Sequence, residues 1–188
     1  MRFLPVFLDL TQGVVGLAGG GAAARSKLRL LQAAGARFAG DDLAAELRFG
    51  GVEISHADPG QADFSDLFAV VSAVGDGRDD DIAAQTRRHR VPVNVVDRPD
   101  LSTFIFPAIV DRGEVVVAIG TGGAAPVLAR RLRERIEALL PARIGDLATL
   151  MGRFRAPAAA KRRGADSPRR FWEHVVDGPI GAAALAGR

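Results

Sequence analysis

The chain has no cysteine and no tyrosine, a single tryptophan, and only two lysines, Lys27 and Lys161, among its 25 basic residues. Without cysteine it forms no disulfide framework, no thiolate metal site and no cysteine nucleophile. It also has no apolar run of the roughly 20 residues that a membrane span needs. Pro5 interrupts the N-terminus before the apolar core of a signal peptide could form. These absences predict a cytoplasmic protein without a membrane anchor.

The overall composition is that of a globular protein. Of the 188 residues, 48% are hydrophobic and 25% are charged, which is too apolar for a disordered chain. The net charge is +3, and residues 151–188 hold eight basic but only three acidic side chains. This basic tail fits either a polycarboxylate ligand or a solvated helix face. Nucleic acid is not expected as a partner, because no aromatic residues alternate with the basic residues 161–163 to stack bases.

Short apolar runs alternate with segments of helical periodicity in the first half of the chain. Residues 14–18, 68–71 and 93–96 are predicted to be buried strands, and residues 22–34 and 79–90 amphipathic helices. Such alternation is typical of βαβ units, whose strands form a largely parallel sheet covered by helices. The sequence therefore predicts an α/β fold.

The second half of the chain is predicted to add a strand pair and several helices. Pro126 suits the first turn of a long helix, and Pro141 ends it. Residues 156–167 are expected to form the loop between two shorter helices. The predicted elements are strands over 104–106 and 115–119 with a polar turn at 111–114, and helices over 126–140, 147–154 and 168–176.

A glycine-rich turn follows the first predicted strand and opens the first helix. Its residues Gly19, Gly20, Gly21, Ala22, Ala23 and Ala24 fit the dinucleotide-binding pattern G-x-G-x-x-A in the structural context that the pattern requires. Gly19 would allow the tight turn, Gly21 would let the backbone approach a pyrophosphate, and the helix N-terminus would supply oriented N–H groups. The alternative is a glycine-rich turn without a ligand.

The same pattern asks for an acidic residue about 20 positions further on, which binds the ribose of the adenosine. Asp41 lies 20 residues after Gly21, and Asp42 follows it. The strand that should carry these aspartates is poor, because residues 36–40 contain no β-branched side chain and no clean alternation. Ribose binding by Asp41 or Asp42 and an altered nucleotide site therefore both stay open.

Six segments carry motifs that occur in this order in one family. They are residues 3–10 (FLPVFLDL), the glycine turn 19–21 with Lys27, residues 94–97 (NVVD), 104–112 (FIFPAIVDR), 122–130 (GGAAPVLAR) and 169–173 (RRFWE). In these motifs the chain resembles the precorrin-2 dehydrogenase and sirohydrochlorin ferrochelatase family, which forms the N-terminal part of siroheme synthases. The resemblance runs from residue 3 to about 155 and resumes at 169.

The resemblance implies an activity and an assembly. The activity is the NAD-dependent oxidation of precorrin-2 to sirohydrochlorin, followed in some members by insertion of ferrous iron as a substrate. The assembly is a homodimer that binds a polycarboxylate tetrapyrrole. It implies three parts: a Rossmann-type NAD-binding domain over 1–113, an interlocking dimerisation segment over 114–149, and a helical segment over 150–188.

The resemblance also implies roles for single residues. Asp97 matches the catalytic aspartate, and it ends a predicted buried strand, where parallel sheets place ligands and where desolvation favours a carboxylate acting as general base. Its alternative is a cap in the turn before Pro99. Leu43 and Ser72 join the glycine turn and the two aspartates on the cofactor side. The substrate side takes Asn94, Thr121, Gly122 and Gly123, for which the alternatives are a satisfied strand amide and a helix cap.

The chain departs from the family around the nucleotide. Residues 38–42 and 72–77 replace family motifs there, and Ser26 stands where an arginine precedes the helix lysine. Three hypotheses follow: the dehydrogenase, a chelatase or tetrapyrrole carrier with a degraded NAD site, and a Rossmann-type oxidoreductase with an unrelated substrate.

No resident metal is expected, because the three histidines show no ligand spacing. They are His56, His89 and His174.

Overall fold

We describe the fold from a computed structural model, which describes residues 3–40, 64–161 and 167–188. The chain forms two compact units, one reaching to Phe106 and the other beginning at Pro107. The three-part division at residues 113 and 149 stays a prediction. In the part of the chain that the structure describes, every helix is too short or too polar to cross a bilayer.

The first unit is a parallel α/β sheet. Its elements are β1 (Val14–Gly19), α1 (Gly21–Ala33), β2 (Arg37–Gly40), β3 (Leu67–Ala73), α2 (Arg78–Arg88) and β4 (Val93–Val95). The four strands lie in the order β2-β1-β3-β4, and every neighbouring pair is parallel. The predicted α/β fold with a Rossmann-type sheet is therefore confirmed.

Both faces of this sheet are covered, which is why its strands are apolar runs rather than alternating ones. Side chains of β1 and β3 alternate between two hydrophobic cores. One core contains Val15, Leu17, Ala24, Leu31 and Val71 and includes residues of α1. The other contains Val70, Ile82, Ala83, Val93 and Val95 and includes residues of α2. Each helix buries the face on which the apolar residues of its sequence recur.

The second strand forms despite its weak sequence. β2 pairs with β1 in parallel, with Val15 opposite Phe38, and the Phe38 side chain packs against the α1 side of the sheet. Strand propensity is set largely by the surface on which a segment packs. Pairing with the edge of β1 therefore compensates for the weak intrinsic strand propensity of residues 37–40.

The second unit joins a two-stranded sheet to four helices. Its elements are β5 (Ala108–Arg112), β6 (Val115–Ile119), α3 (Pro126–Leu139), α4 (Ile144–Lys161), α5 (Pro168–Asp177) and α6 (Pro179–Leu185). The strands pair antiparallel around a turn at Gly113 and Glu114, and α3 packs against both of them. The long helix predicted from Pro126 is confirmed.

The strand predicted over 104–106 is wrong. The partner of β6 is instead β5, which begins at Ala108, directly after Pro107. Proline has no N–H to donate to a strand ladder, so it separates the two segments. The rings of Phe104 and Phe106 contact each other edge to face, with centroids 5.5 Å apart. Both pack against the first unit's core instead of pairing in a sheet.

The loop predicted over 156–167 is also partly wrong. α4 continues through Pro157 to Lys161. The alanines on either side of Pro157 have the highest helix propensity of any residue, which offsets the backbone hydrogen bond that proline removes. A further helix, α6, was not predicted. It follows α5 after Gly178 alone and begins at Pro179.

The turn between β1 and α1 depends on Gly19. This residue has φ +102°, and a Cβ atom there would collide with the backbone carbonyl of Ala73 on β3. We expect Gly19→Ala to lower the free energy of unfolding by at least about 2 kcal/mol, through strain and collision together.

Urea denaturation followed by circular dichroism measures this effect. Gly20→Ala is the matched control, because a Cβ at Gly20 meets no atom within 4 Å. We expect this control to lose about 1 kcal/mol or less, the cost of alanine at a helix N-cap. Equal unfolding midpoints for the two variants would contradict the close approach of β1 and β3.

Candidate active site

The glycine turn presents backbone N–H groups to solvent. β1 ends at Gly19, and α1 begins at Gly21, which has φ +72°. Gly20, at the N-cap, has no side chain that could satisfy the N–H groups of the first turn. Gly20, Gly21, Ala22 and Ala23 are all exposed. This uncapped helix N-terminus has the geometry that binds a phosphate group.

Three residues predicted for the cofactor site cannot be placed. Asp41, Asp42 and Leu43 lie outside the described residues, which resume at Phe64. Ribose binding by either aspartate therefore stays a prediction.

The turn between β3 and α2 is held by a buried carboxylate. Asp79, in the first turn of α2, is only 3% exposed, and both of its oxygens accept hydrogen bonds. The Ser72 hydroxyl donates to Oδ1 at 2.5 Å, and the Gly75 N–H donates to Oδ2 at 2.9 Å. A buried carboxylate with a hydrogen bond on each oxygen holds its partners firmly, because losing either bond would leave a charged atom unsatisfied.

Ser72 is therefore wholly buried beneath the site, with its hydroxyl directed to Asp79. Its place in cofactor binding stays a prediction, and the structure gives it a clear part in shaping the turn. The sequence analysis did not single out Asp79. The available signal was an acidic residue in the first turn of a helix that directly follows a buried strand.

Asp97 lies in a tight turn just after β4. Its φ of +59° is left-handed, a conformation that aspartate tolerates better than most residues and that is often found at functional sites. The Val96 N–H donates to the Ser72 carbonyl at 2.8 Å, and the Arg98 N–H donates to the Val95 carbonyl at 3.1 Å. The Asp97 side chain is exposed. The expectation that burial desolvates this carboxylate is therefore wrong, because the turn projects it beyond the strand.

The residue after Asp97 is an arginine held by two carboxylates. Arg98 Nη2 lies 2.9 Å from Asp100 and 3.5 Å from Asp80 of α2. Hydrogen bonds from Arg98 lower the pKa of Asp100, and those to Asp100 and Asp80 raise the pKa of Arg98. All three side chains are partly exposed, so each pair contributes little to stability. These ion pairs fix the conformation of the turn and pair the Arg98 guanidinium with two carboxylates.

These segments enclose one cleft at the carboxyl ends of the parallel strands, where α/β sheets bind ligands. Its volume is about 620 Å³. It brings the glycine turn, through Ala23, into the same cleft as Asp97. The lining residues are Ala23, Ala73, Gly75, Asp76, Gly77, Asp79, Asp80, Val96, Asp97 and Arg98.

Asn94 is buried within β4 and is 6% exposed. Its Nδ2 donates to the Phe104 carbonyl at 3.0 Å, while the neighbouring Val93 N–H donates to Thr103 Oγ1 at 2.8 Å. The side chain thus ties the following segment to the strand that precedes Asp97. Its predicted contact with substrate is not tested.

Thr121, Gly122 and Gly123 lie in the second unit, between β6 and α3. Thr121 Oγ1 accepts a hydrogen bond from the N–H of Ala125 at 3.3 Å, and Ala125, not Thr121, is the N-cap residue of α3, so the alternative of a helix cap is wrong. Gly122 and Gly123 have φ values of +64° and +86°. Substrate binding by these three residues stays a prediction.

Family models match along the whole chain. A model described as putative NAD(P)-binding matches residues 6–108, more than half of the protein. A model of the sirohaem biosynthesis protein central region matches residues 112–139, and one of the sirohaem synthase dimerisation region matches 143–188. The chain belongs to the siroheme synthase family. The family resemblance of its motifs is thereby confirmed.

Individual relatives agree with this family. The chain is 43% identical over 199 aligned positions to a siroheme synthase of Stutzerimonas stutzeri, covering 100% of this chain and 42% of that protein. A siroheme synthase of Methylococcus capsulatus is also 43% identical, and the match covers 41% of it. The chain therefore spans about two fifths of the length of these relatives.

A solved structure shares the fold. The chain superposes on SirC, precorrin-2 dehydrogenase, with a TM-score of 0.67 and 22% sequence identity. The match covers 93% of this chain and 88% of the other. It supports the α/β sheet with its additional C-terminal elements.

The buried carboxylate gives a test of how the cleft is built. We expect Asp79→Ala to lower the free energy of unfolding by about 2–3 kcal/mol, because it leaves the Ser72 hydroxyl and the Gly75 N–H without their acceptor. Asp81→Ala is the control, since Asp81 is an exposed residue in the same helical turn. Urea denaturation of the two variants measures the difference. Similar losses in both would show that Asp79 does not hold the turn.

Proposed function

We propose that this chain catalyses the NAD-dependent oxidation of precorrin-2 to sirohydrochlorin. The observation that carries the proposal is the cleft at the strand ends, which is lined both by Ala23 in the first turn of α1 and by Asp97. Membership of the siroheme synthase family supports the substrate, and the structural relative is itself named a precorrin-2 dehydrogenase.

The residues of the turn fit a dinucleotide. The N–H groups of Gly21, Ala22 and Ala23 carry the positive end of the α1 dipole, have no side-chain cap, and would hold the pyrophosphate. The open Gly75–Gly77 turn, held by Asp79, would line the other side of the bound molecule. NAD, when bound, supplies the acceptor for a hydride.

Asp97 is the general base in this proposal. Oxidation of precorrin-2 removes two electrons and two hydrogens, one as the hydride and the other as a proton. The Asp97 carboxylate accepts that proton. It is the carboxylate in the cleft suited to this step, because both oxygens of Asp79 already accept hydrogen bonds, and Asp76 and Asp80 each pair with an arginine. A general base must reach the proton that it removes, which the exposed turn position permits.

The remaining partners follow from the same proposal. The Thr121 turn and the basic tail are suited to the carboxylates of a tetrapyrrole, since both attract anions. Ferrous iron would be a substrate. Within residues 3–40, 64–161 and 167–188, the structure has no cluster of three or more acidic or histidine side chains that could hold a metal ion. We place the reaction in the cytoplasm.

A homodimer is supported by the second unit's surface. Large apolar side chains of β6, α3 and α4 are exposed, among them Val127, which is 65% exposed, and Leu139, which is 81% exposed. Apolar side chains left open in this way mark interaction surfaces. The match to the dimerisation model, over residues 143–188, includes α4 of this surface. We propose that a second copy of the chain covers these side chains.

Replacing the base tests the chemistry. We expect Asp97→Asn to reduce kcat for precorrin-2 oxidation by about 10²–10⁴-fold, the usual contribution of a general base. The dissociation constant for NAD should stay within about threefold, because no pyrophosphate contact is lost. Stopped-flow absorbance and calorimetry measure the two quantities. An Asp97→Asn variant that keeps the full rate would exclude Asp97 as the base.

The function itself is tested by anaerobic absorbance spectroscopy of the purified chain with precorrin-2, with and without NAD. The proposal predicts that the sirohydrochlorin spectrum forms only when NAD is present. Tetrapyrrole binding without NAD-dependent turnover would refute it and favour the chelatase or carrier. NAD binding without any tetrapyrrole binding would favour an oxidoreductase of unrelated substrate.

A further inference from the structure

The cleft is rich in carboxylates and poor in cations. Among the described residues that line it, four are aspartates, and Arg98 is the basic one. The tetrapyrrole of the proposed function carries several carboxylates, which like charges in the cleft would repel. The favourable place for one of these carboxylates is therefore the Arg98 guanidinium.

The main chain of Arg98 is fixed directly after Asp97. Its N–H donates to the Val95 carbonyl at 3.1 Å, and its carbonyl accepts hydrogen bonds from the Ser102 hydroxyl at 2.9 Å and the Leu101 N–H at 3.2 Å. These three hydrogen bonds involve only main-chain atoms of Arg98. Replacing its side chain therefore leaves them in place.

Two carboxylates hold the Arg98 guanidinium, and they do so unequally. Asp100 accepts hydrogen bonds from Nε at 3.1 Å and from Nη2 at 2.9 Å, a forked pair that orients the plane of the group. Asp80 of α2 lies 3.5 Å from both Nη1 and Nη2, at the limit of hydrogen-bond distance. Asp100 can therefore keep the guanidinium in place when the contact with Asp80 opens.

The weaker contact lies at the cleft. Asp80 and Arg98 both line it, and Asp100 is not among its described lining residues. The Asp80 side chain is 56% exposed, so water solvates its charge when the contact opens. A carboxylate that enters the cleft can thus replace Asp80 without leaving a buried charge unpaired.

We propose that Arg98 binds a carboxylate of the tetrapyrrole next to Asp97, and that this carboxylate replaces Asp80 while Asp100 keeps the guanidinium in place. This inference rests on the proposed function, in which the tetrapyrrole lies in the cleft and Asp97 accepts its proton. A guanidinium suits the task because it stays charged and donates two parallel N–H groups to a carboxylate. It also offsets the repulsion between Asp97 and a polyanionic substrate.

The first test measures binding without catalysis. Sirohydrochlorin is titrated into the chain under anaerobic conditions without NAD, and the absorbance change gives its dissociation constant. We expect Arg98→Met to raise this constant at least about tenfold, the usual cost of losing a hydrogen bond between charged groups. Arg98→Lys should restore part of the affinity, because it keeps the charge and loses the fork.

Arg88→Met is the matched control, because it removes a positive charge from an exposed position at the other end of α2, outside the described lining of the cleft. Its dissociation constant for sirohydrochlorin should equal that of the unmodified chain. An equal constant in Arg98→Met would overturn the inference.

The second test removes the competing carboxylate. We expect Asp80→Asn to strengthen sirohydrochlorin binding about two- to fivefold, the scale of an exposed ion pair, because Arg98 no longer has to exchange one carboxylate for another. A purely structural role of the ion pair predicts weaker binding or no change, since both variants would then disturb the same turn. Either of these results in Asp80→Asn would contradict the proposed exchange.

The third test separates substrate from nucleotide. We expect Arg98→Met to raise KM for precorrin-2 at least about tenfold, while kcat and the dissociation constant for NAD change less than about threefold. A loss of NAD affinity with unchanged sirohydrochlorin binding would overturn the inference and make Arg98 a nucleotide contact. If the unmodified chain binds sirohydrochlorin but does not oxidise precorrin-2, the proposed function fails, and the titrations still decide the role of Arg98. If it binds no sirohydrochlorin, both proposals fail.

Discussion

The candidate site depends on the hydrogen bonds that converge on Ser72. Its hydroxyl is bound by the buried Asp79 of α2, and its carbonyl accepts the Val96 N–H at the end of β4. One buried residue thereby ties the helix, the central strand and the turn that carries Asp97. Hydrogen bonds of this kind are costly to leave unmade, so the turn has one well-defined geometry. The cleft follows from that geometry.

Charge in the cleft is distributed so that one carboxylate remains reactive. Both oxygens of Asp79 accept hydrogen bonds, while Asp76 and Asp80 face arginines. Among the carboxylates that line the cleft, Asp97 combines an exposed side chain with a left-handed backbone. Strained turns of this kind persist where surrounding structure holds them, and they are concentrated at functional sites.

Much of the fold could be predicted from the sequence because its signals are local. The glycine turn, the apolar strands and the long helix from Pro126 each lie within one short segment. The strand near Phe104 was misplaced because an aromatic run suits a core as well as a sheet. Asp79 was not assigned a role, although its partners lie only seven and four residues away, because a run of three acidic residues at a helix start does not show which of them is buried.

The central claim is that one cleft holds both the dinucleotide and the catalytic carboxylate. A crystal structure of this chain with NAD bound tests it most directly. We predict that the pyrophosphate lies against the N–H groups of Gly21, Ala22 and Ala23, with the nicotinamide ring in the cleft beside Asp97. A dinucleotide bound away from the glycine turn, or with its nicotinamide outside this cleft, would contradict the account.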